Sequence, residues 1–238
     1  LADDGVVVTR ATTYANRSYL AASFIDELER RYAGSELGRQ ELEGEMIDNP
    51  AGTLWQPAWI EEARVAAAPD LRRIVIGVDP PVTAGENADA CGIIAAGIAG
   101  DGRAYVLADL TLQGAPPNAW ARAALDAYRR FAADRIVAEV NQGGDLVETV
   151  LRQVDETAPV TKVRATRGKW ICAEPIASLY AERRVSHVGR LDELEDQLLS
   201  FTGEGTVRGR SPDRLDALVW ALTDLMTMPA AAPRLRML

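Results

Sequence analysis

The chain has 238 residues, of which 47% are hydrophobic and 26% charged, and its formal net charge is −9. This composition is typical of a soluble globular protein with one substantial domain and a smaller appendage, and the acidic balance argues against a protein whose whole surface binds nucleic acid. No apolar stretch approaches the roughly 18 residues of a membrane span, and no signal peptide is visible. We therefore expect a cytoplasmic protein with no membrane partner.

Residues 1–71 are predicted to be mostly helical. An amphipathic stretch begins near Tyr19, and Gly34 and Gly38 interrupt it. A Pro/Ala-rich patch at 66–70 is typical of a linker. Because the chain begins with Leu1 rather than Met, we expect a fragment of a longer protein.

From residue 72 onward the hydrophobic pattern becomes regular. Strands are predicted at 73–78, 91–98 and 104–112, with a Gly-Asp-Gly turn at 100–102 that indicates an antiparallel meander. Helices at 118–132, 145–154 and 171–182 then alternate with strands at 135–140, 160–165 and 185–188, and helices at 191–201 and 212–226 follow. This order predicts an α/β fold, a mixed sheet flanked by helices.

Two carboxylates stand where buried strands end. Asp79 follows the apolar run 74–78, which is apolar on both faces as in a central strand, and Glu139 follows the run 136–138. If the two strands are neighbours, the carboxylates converge. Acids in an apolar setting are costly unless a cation neutralises them, and oxygen-only ligands favour Mg²⁺ or Mn²⁺.

A second pair of acids opens the last predicted helix. Ser211 and Pro212 are a helix-start signal, with Ser211 as the cap, which places Asp213 in the first turn, where it would also complement the helix dipole. Asp216 shares a face with Asp213, and capping does not require both. The pair therefore favours metal binding, and with the strand acids it predicts a two-metal site for phosphodiester hydrolysis. We interpret Asp89 as a turn residue.

The stretch 160–190 carries seven basic residues against two acidic ones. Arg164, Arg167 and Lys169 belong to a predicted basic loop and are candidate contacts to a DNA phosphate backbone, although a solvated mixed surface is an equal alternative. The sequence contains no G-x-x-x-x-G-K-[ST] motif, so we expect no ATPase activity from this chain.

The cysteines and the histidine suggest no further site. Cys91 and Cys172 lack metal-ligand spacing and are interpreted as small buried residues rather than a disulfide or a zinc site. His187 is the only histidine and has the context of a strand residue, which argues against a His-based triad.

Several motifs together resemble the C-terminal part of the large terminase subunit of tailed bacteriophages and phage-like gene transfer agents. Those of the nuclease part are at 77–81 (GVDPP), 89–94 (DACGII), 138–144 (AEVNQGG) and 211–218 (SPDRLDAL). The segments 13–16, 34–45 and 52–55 resemble the end of the packaging ATPase domain.

The resemblance implies an RNase H-like nuclease that uses Mg²⁺ or Mn²⁺ to cleave concatemeric double-stranded DNA during viral genome packaging. It implies Asp79, Glu139 and Asp213 as catalytic metal ligands, with Asp216 as a rival or additional one. The implied domains are 1–71, a remnant of the ATPase domain with its linker; 72–228, the nuclease; and 229–238, a Pro/Ala-rich tail. The implied partners are double-stranded DNA and, in the complete motor at the capsid portal, the portal protein and the small terminase subunit.

Two other functions remain open from the sequence. Another RNase H-like nuclease, such as a junction resolvase, would use similar acids but prefer branched DNA. A non-catalytic module that clamps DNA or docks the motor would contain the same acids in a structural role.

Overall fold

The computed structural model describes residues 19–20, 53–81, 89–140, 145–164, 168–202 and 211–226. The chain divides into two compact units, Leu1–Gly52 and Thr53–Leu238. The helices and strands given below lie in the second unit. Residues 53–71, which the sequence assigned to the segment before the nuclease, belong to this unit as well. The predicted domain limits stay a prediction.

The described residues form a six-stranded mixed sheet in the order β5-β4-β1-β2-β3-β6. Its strands are β1 (Leu71–Asp79), β2 (Gly92–Ala99), β3 (Ala104–Asp109), β4 (Arg135–Glu139), β5 (Val160–Val163) and β6 (Val185–His187). Strands β1, β2 and β3 form an antiparallel meander, β4 and β5 run parallel to β1, and β6 runs parallel to β3. The predicted meander followed by βα units is confirmed.

The helices are α1 (Pro57–Ala63), α2 (Pro117–Arg130), α3 (Asp145–Val154), α4 (Lys169–Ala181), α5 (Asp192–Ser200) and α6 (Asp213–Met226). One buried apolar cluster joins α2 and α3 to the sheet, and another joins α1, α4, α5 and α6 to it. Within the described ranges, none of the helices combines the length and apolar character needed to cross a bilayer.

Strand β1 lies between β2 and β4 and is buried on both faces. Val75 belongs to the cluster under α6, whereas Ile76 and Val78 belong to the cluster under α2 and α3. Successive side chains of a strand point to opposite faces, so a strand covered by helices on both sides requires a continuous apolar run. The run at 74–78 therefore indicated a central strand correctly.

Two predicted boundaries differ from the structure. Helix α4 begins at Lys169 rather than at residue 171, because the carbonyl of Gly168 accepts hydrogen bonds from the amides of Ile171 and Cys172. Lys169 is therefore a helix residue and does not lie in a loop. Strand β3 ends at Asp109 rather than at residue 112, because the Asp109 carboxylate accepts a bond from the Thr111 amide in a local turn.

Some expectations concern residues outside the described ranges. These are the helical pattern over most of 1–52, the polar turn at 141–144, Arg167 and the tail 229–238. Within the described ranges Cys91 is fully buried, as expected, whereas Cys172 is only partly buried. His187 is a buried residue of β6, in agreement with its predicted strand context.

Candidate metal centre

Two of the predicted acids end neighbouring strands. Strands β1 and β4 pair in parallel with Val78 opposite Ala138, so Asp79 and Glu139 follow at the same edge of the sheet. The condition on which their convergence depended, adjacency of the two strands, is thus met. On its other side Asp79 pairs with Gly92 of β2. This edge collects carboxylates because two runs of apolar residues end in an acid at the same level.

Helix α6 brings the other two acids to this edge by lying unusually close to the sheet. A Cβ atom on Gly92 would be 2.0 Å from the carbonyl oxygen of Asp213, and one on Gly77 would be 2.1 Å from that of Ala217. Any larger residue at either glycine would push the helix away, because real Cβ atoms do not approach oxygen so closely. The first turn of α6 therefore lies directly beside the strand end that carries Asp79.

The start of α6 differs slightly from the sequence prediction. The helix begins at Asp213, and the carbonyl of Pro212 accepts its first bond, from the Asp216 amide. Ser211, predicted to be the cap, lies outside the helix and contacts the side chains of the site instead. The Asp213 carboxylate accepts a hydrogen bond of 2.9 Å from the Ala90 amide.

The electrostatics show that the acids interact. Burial raises the pKa of Asp79 well above its usual value, and the negative charges of Asp216 and Glu139 raise it further. Burial also raises the pKa of Asp213 and of Asp216, in each case to about 6. Carboxylates that are buried together resist ionisation unless positive charge reaches them. The site therefore has a strong demand for a cation.

Lys169 supplies part of that charge. Its ammonium group forms an ion pair with the Asp216 carboxylate and donates a hydrogen bond of 3.1 Å to Ser211 Oγ. Burial alone would lower the pKa of Lys169, but the nearby carboxylates of Asp216, Asp79 and Asp213 outweigh it, and the pKa is raised. The first residue of α4 is therefore part of the acidic site, which its predicted loop position did not indicate.

A sixth side chain of the site was missed from the sequence. The indole Nε1 of Trp220 donates a hydrogen bond of 2.7 Å to Oε2 of Glu139. Trp220 follows Asp216 by four residues on α6 and Asp213 by seven, so the three lie along one side of the helix. That spacing was the available signal, but a tryptophan in an apolar helix indicates a core residue at least as strongly.

Two further predicted residues are close to Asp213. Asp89 is exposed, and its negative charge contributes to the raised pKa of Asp213, so it lies nearer to the site than a simple turn residue would. The Cys91 thiol is buried, and burial together with the charges of Asp79 and Asp213 raises its pKa. Protonated Cys91 is thus an apolar wall of the site.

Most of the basic stretch at 160–190 is neutralised by acids. Ion pairs of the described residues join Lys162 to Glu148, Arg183 to Glu62, Arg184 to Glu182 and Arg190 to Asp192. Arg164 is exposed one residue after Val163, which pairs with Glu139. Among the candidate DNA contacts, Arg164 and Lys169 are therefore at the edge that carries the acids.

The donor set suits a hard divalent cation. Asp79, Glu139, Asp213 and Asp216 offer oxygen atoms alone, and the raised pKa values show that charge neutralisation is needed there. No group of three or more His, Cys, Asp or Glu side chains in the described part of the chain is already arranged to hold an ion. The four acids are thus able to hold a metal once Asp216 exchanges the Lys169 ammonium for it.

Comparisons with known proteins agree with this architecture. No curated protein matches the sequence. The large terminase nuclease from thermophilic phage G20c is similar in structure, with a TM-score of 0.54 and 15% identity over 72% of this chain and 98% of that one. The nuclease domain of the large terminase subunit gp2 of bacterial virus Sf6 gives a TM-score of 0.56 and 14% identity over 75% and 100%.

The large terminase from a second thermophilic bacteriophage gives a TM-score of 0.54 and 12% identity over 90% of this chain and 53% of that one. Structures of the G20c nuclease with bound magnesium and of an Sf6 nuclease-domain mutant with manganese are also similar. The family model described as the terminase RNase H-like domain matches residues 76–225. This range contains both strand-end acids and both acids of α6, and the chain belongs to the family of terminase RNase H-like nuclease domains.

Proposed function

We propose that this chain is a metal-dependent endonuclease that cleaves concatemeric double-stranded DNA during viral genome packaging. The observation that carries the proposal is the convergence of Asp79, Glu139, Asp213 and Asp216 at one sheet edge, with the pKa values of three of them raised. The solved relatives named as terminase nucleases, some with magnesium or manganese, support it.

The four acids would hold a pair of Mg²⁺ or Mn²⁺ ions. When bound, these ions supply stabilisation of negative charge on the phosphate and activation of water for phosphodiester hydrolysis. The chain contributes the rigid placement of the ligands: Asp79 and Glu139 are fixed by the strand pairing, and Asp213 and Asp216 by the contact of α6 with the sheet.

DNA would approach the exposed side of this edge. Arg164 and Lys169 provide positive charge there, and we propose both as phosphate contacts, together with Arg167. Since the net charge is −9, binding by the isolated chain should be weak, salt-sensitive and largely independent of sequence. In the cell we place the activity in the cytoplasm at the capsid portal, with the portal protein and the small terminase subunit as partners.

The experiment is plasmid cleavage by the purified chain with Mn²⁺, Mg²⁺ or EDTA. Asp79→Asn and Glu139→Gln each remove one carboxylate charge and should abolish metal-dependent linearisation. Asp126→Asn is the matched control, because Asp126 is exposed on α2 and contacts only Arg129 among the ion pairs of the described residues. It should cleave like the wild type.

Two results would contradict the proposal. A folded wild-type chain that binds neither metal nor cleaves DNA would favour the clamping or docking module. Cleavage of branched junctions in clear preference to linear duplex would favour a resolvase-type nuclease.

A further inference from the structure

The hydrogen bond between Trp220 and Glu139 joins residues 81 positions apart and ends on a candidate metal ligand. The Trp220 side chain is otherwise a core group: the residue is 8% exposed and belongs to the buried apolar cluster that also contains Val137 and Ile176. Its ring is therefore held on α6 by packing. The nitrogen points toward the one polar feature in its surroundings that the structure gives it as a partner.

An indole nitrogen donates one hydrogen bond and accepts none, so it suits an ionised carboxylate oxygen. A carboxylate at a strand end rotates readily about its side-chain bonds, whereas an indole wedged in the core does not. With Oε2 held at 2.7 Å, Glu139 has a restricted set of orientations. Hydrogen bonds of this kind to metal ligands commonly govern affinity, because they orient the ligand before the ion arrives.

We propose that Trp220 is a positioning residue that orients Glu139 for divalent metal binding. The inference rests on the proposed function, since it assigns Trp220 a part in that same site. It adds a residue that touches neither metal nor DNA and acts only through Glu139. The stripe formed by Asp213, Asp216 and Trp220 then makes one side of α6 responsible for two ligands and for the orientation of a third.

The test is a Mn²⁺ titration of the DNA-free protein, in which unbound Mn²⁺ is followed by electron paramagnetic resonance. Trp220→Phe keeps most of the ring and removes the donor, and we expect it to weaken Mn²⁺ binding by about 10- to 100-fold. Trp55→Phe is the matched control: Trp55 is fully buried in the same apolar cluster, and its Nε1 has no hydrogen-bond partner in the described structure. Its Mn²⁺ affinity should equal that of the wild type.

A double-mutant cycle separates positioning from general damage. In the Glu139→Gln background the further change Trp220→Phe should leave Mn²⁺ affinity unchanged, because the indole acts through that carboxylate. Urea unfolding shows whether each variant is folded, and Trp220→Met, which fills space without a donor, replaces the Phe variant if that one is not.

Three results would overturn the inference. The first is wild-type affinity in folded Trp220→Phe. The second is an equal loss in both backgrounds, which would indicate a structural effect independent of Glu139. The third is a wild-type protein that binds no Mn²⁺, and this result alone would also remove the metal site of the proposed function.

Discussion

The close contact between α6 and the sheet predicts that Gly92→Ala damages the site from a position without any chemical group. The added Cβ would be 2.0 Å from the Asp213 carbonyl oxygen, 2.6 Å from its carbonyl carbon and 3.0 Å from the Ala217 Cβ. Contacts under 3.0 Å do not occur for real Cβ atoms, so strand and helix must separate by at least about 1 Å. Most of that strain falls on backbone, which yields poorly.

The magnitude follows from two general scales. Overpacking of this kind costs about 1 to 3 kcal/mol of unfolding free energy. Metal and catalytic groups tolerate displacements of only about 0.5 Å, and a misplacement of about 1 Å can reduce a rate by roughly 100-fold. We therefore expect Gly92→Ala to lose about 2 kcal/mol of stability and about 100-fold in metal-dependent cleavage, through the displacement of Asp213 relative to Asp79.

Urea unfolding and plasmid cleavage with Mn²⁺ measure the two effects. Gly100→Ala is the control, because a Cβ there meets nothing within 4 Å. Its stability should stay within about 1 kcal/mol of the wild type, and its cleavage should be unchanged. If Gly92→Ala were as stable and as active as Gly100→Ala, α6 would not lie against β2 as described, and the explanation of how Asp213 reaches the site would be wrong.

Three further predictions concern charge. Asp79→Asn should raise the thermal midpoint of the metal-free protein near pH 7, because it relieves repulsion among buried acids, and calorimetry with and without EDTA checks it; a lower midpoint would contradict the raised pKa of Asp79. Asp213 and Asp216 have pKa values of about 6 when folded, above the ordinary value of 3.8, so between those values the folded chain binds more protons than the unfolded chain. Their contribution to stability therefore increases as the pH falls from about 7 toward 4, while Mn²⁺ affinity decreases as the pH falls through about 6; stability and Mn²⁺ titrations across this range test both signs. Arg64→Ala should cost about 3 kcal/mol in urea unfolding, because it leaves the buried Glu195 carboxylate without its bidentate partner, and a loss below about 1 kcal/mol would show that the pair is solvated.

The sequence by itself determined the elements and the acids that end them. The run at 74–78 was apolar at every position, which only a strand covered on both faces requires, and Asp79 followed it; the same reasoning placed Glu139. The alternation of strands and helices after the meander predicted the mixed sheet, but the adjacency of β1 and β4 stayed a condition until the structure gave the strand order. The boundaries at Lys169 and Asp109 were less certain, since hydrogen bonds of single carbonyl and carboxylate groups decide them.

Only the tertiary structure decided which side chains meet. Lys169 pairs with Asp216 across 47 residues, and Trp220 bonds to Glu139 across 81. Both contacts depend on how far α6 slides and rotates over the sheet, and that position is set by Gly77 and Gly92, which admit the helix backbone. Hydrophobic periodicity specifies the face that a helix buries, but its depth and register come from packing against residues distant in sequence.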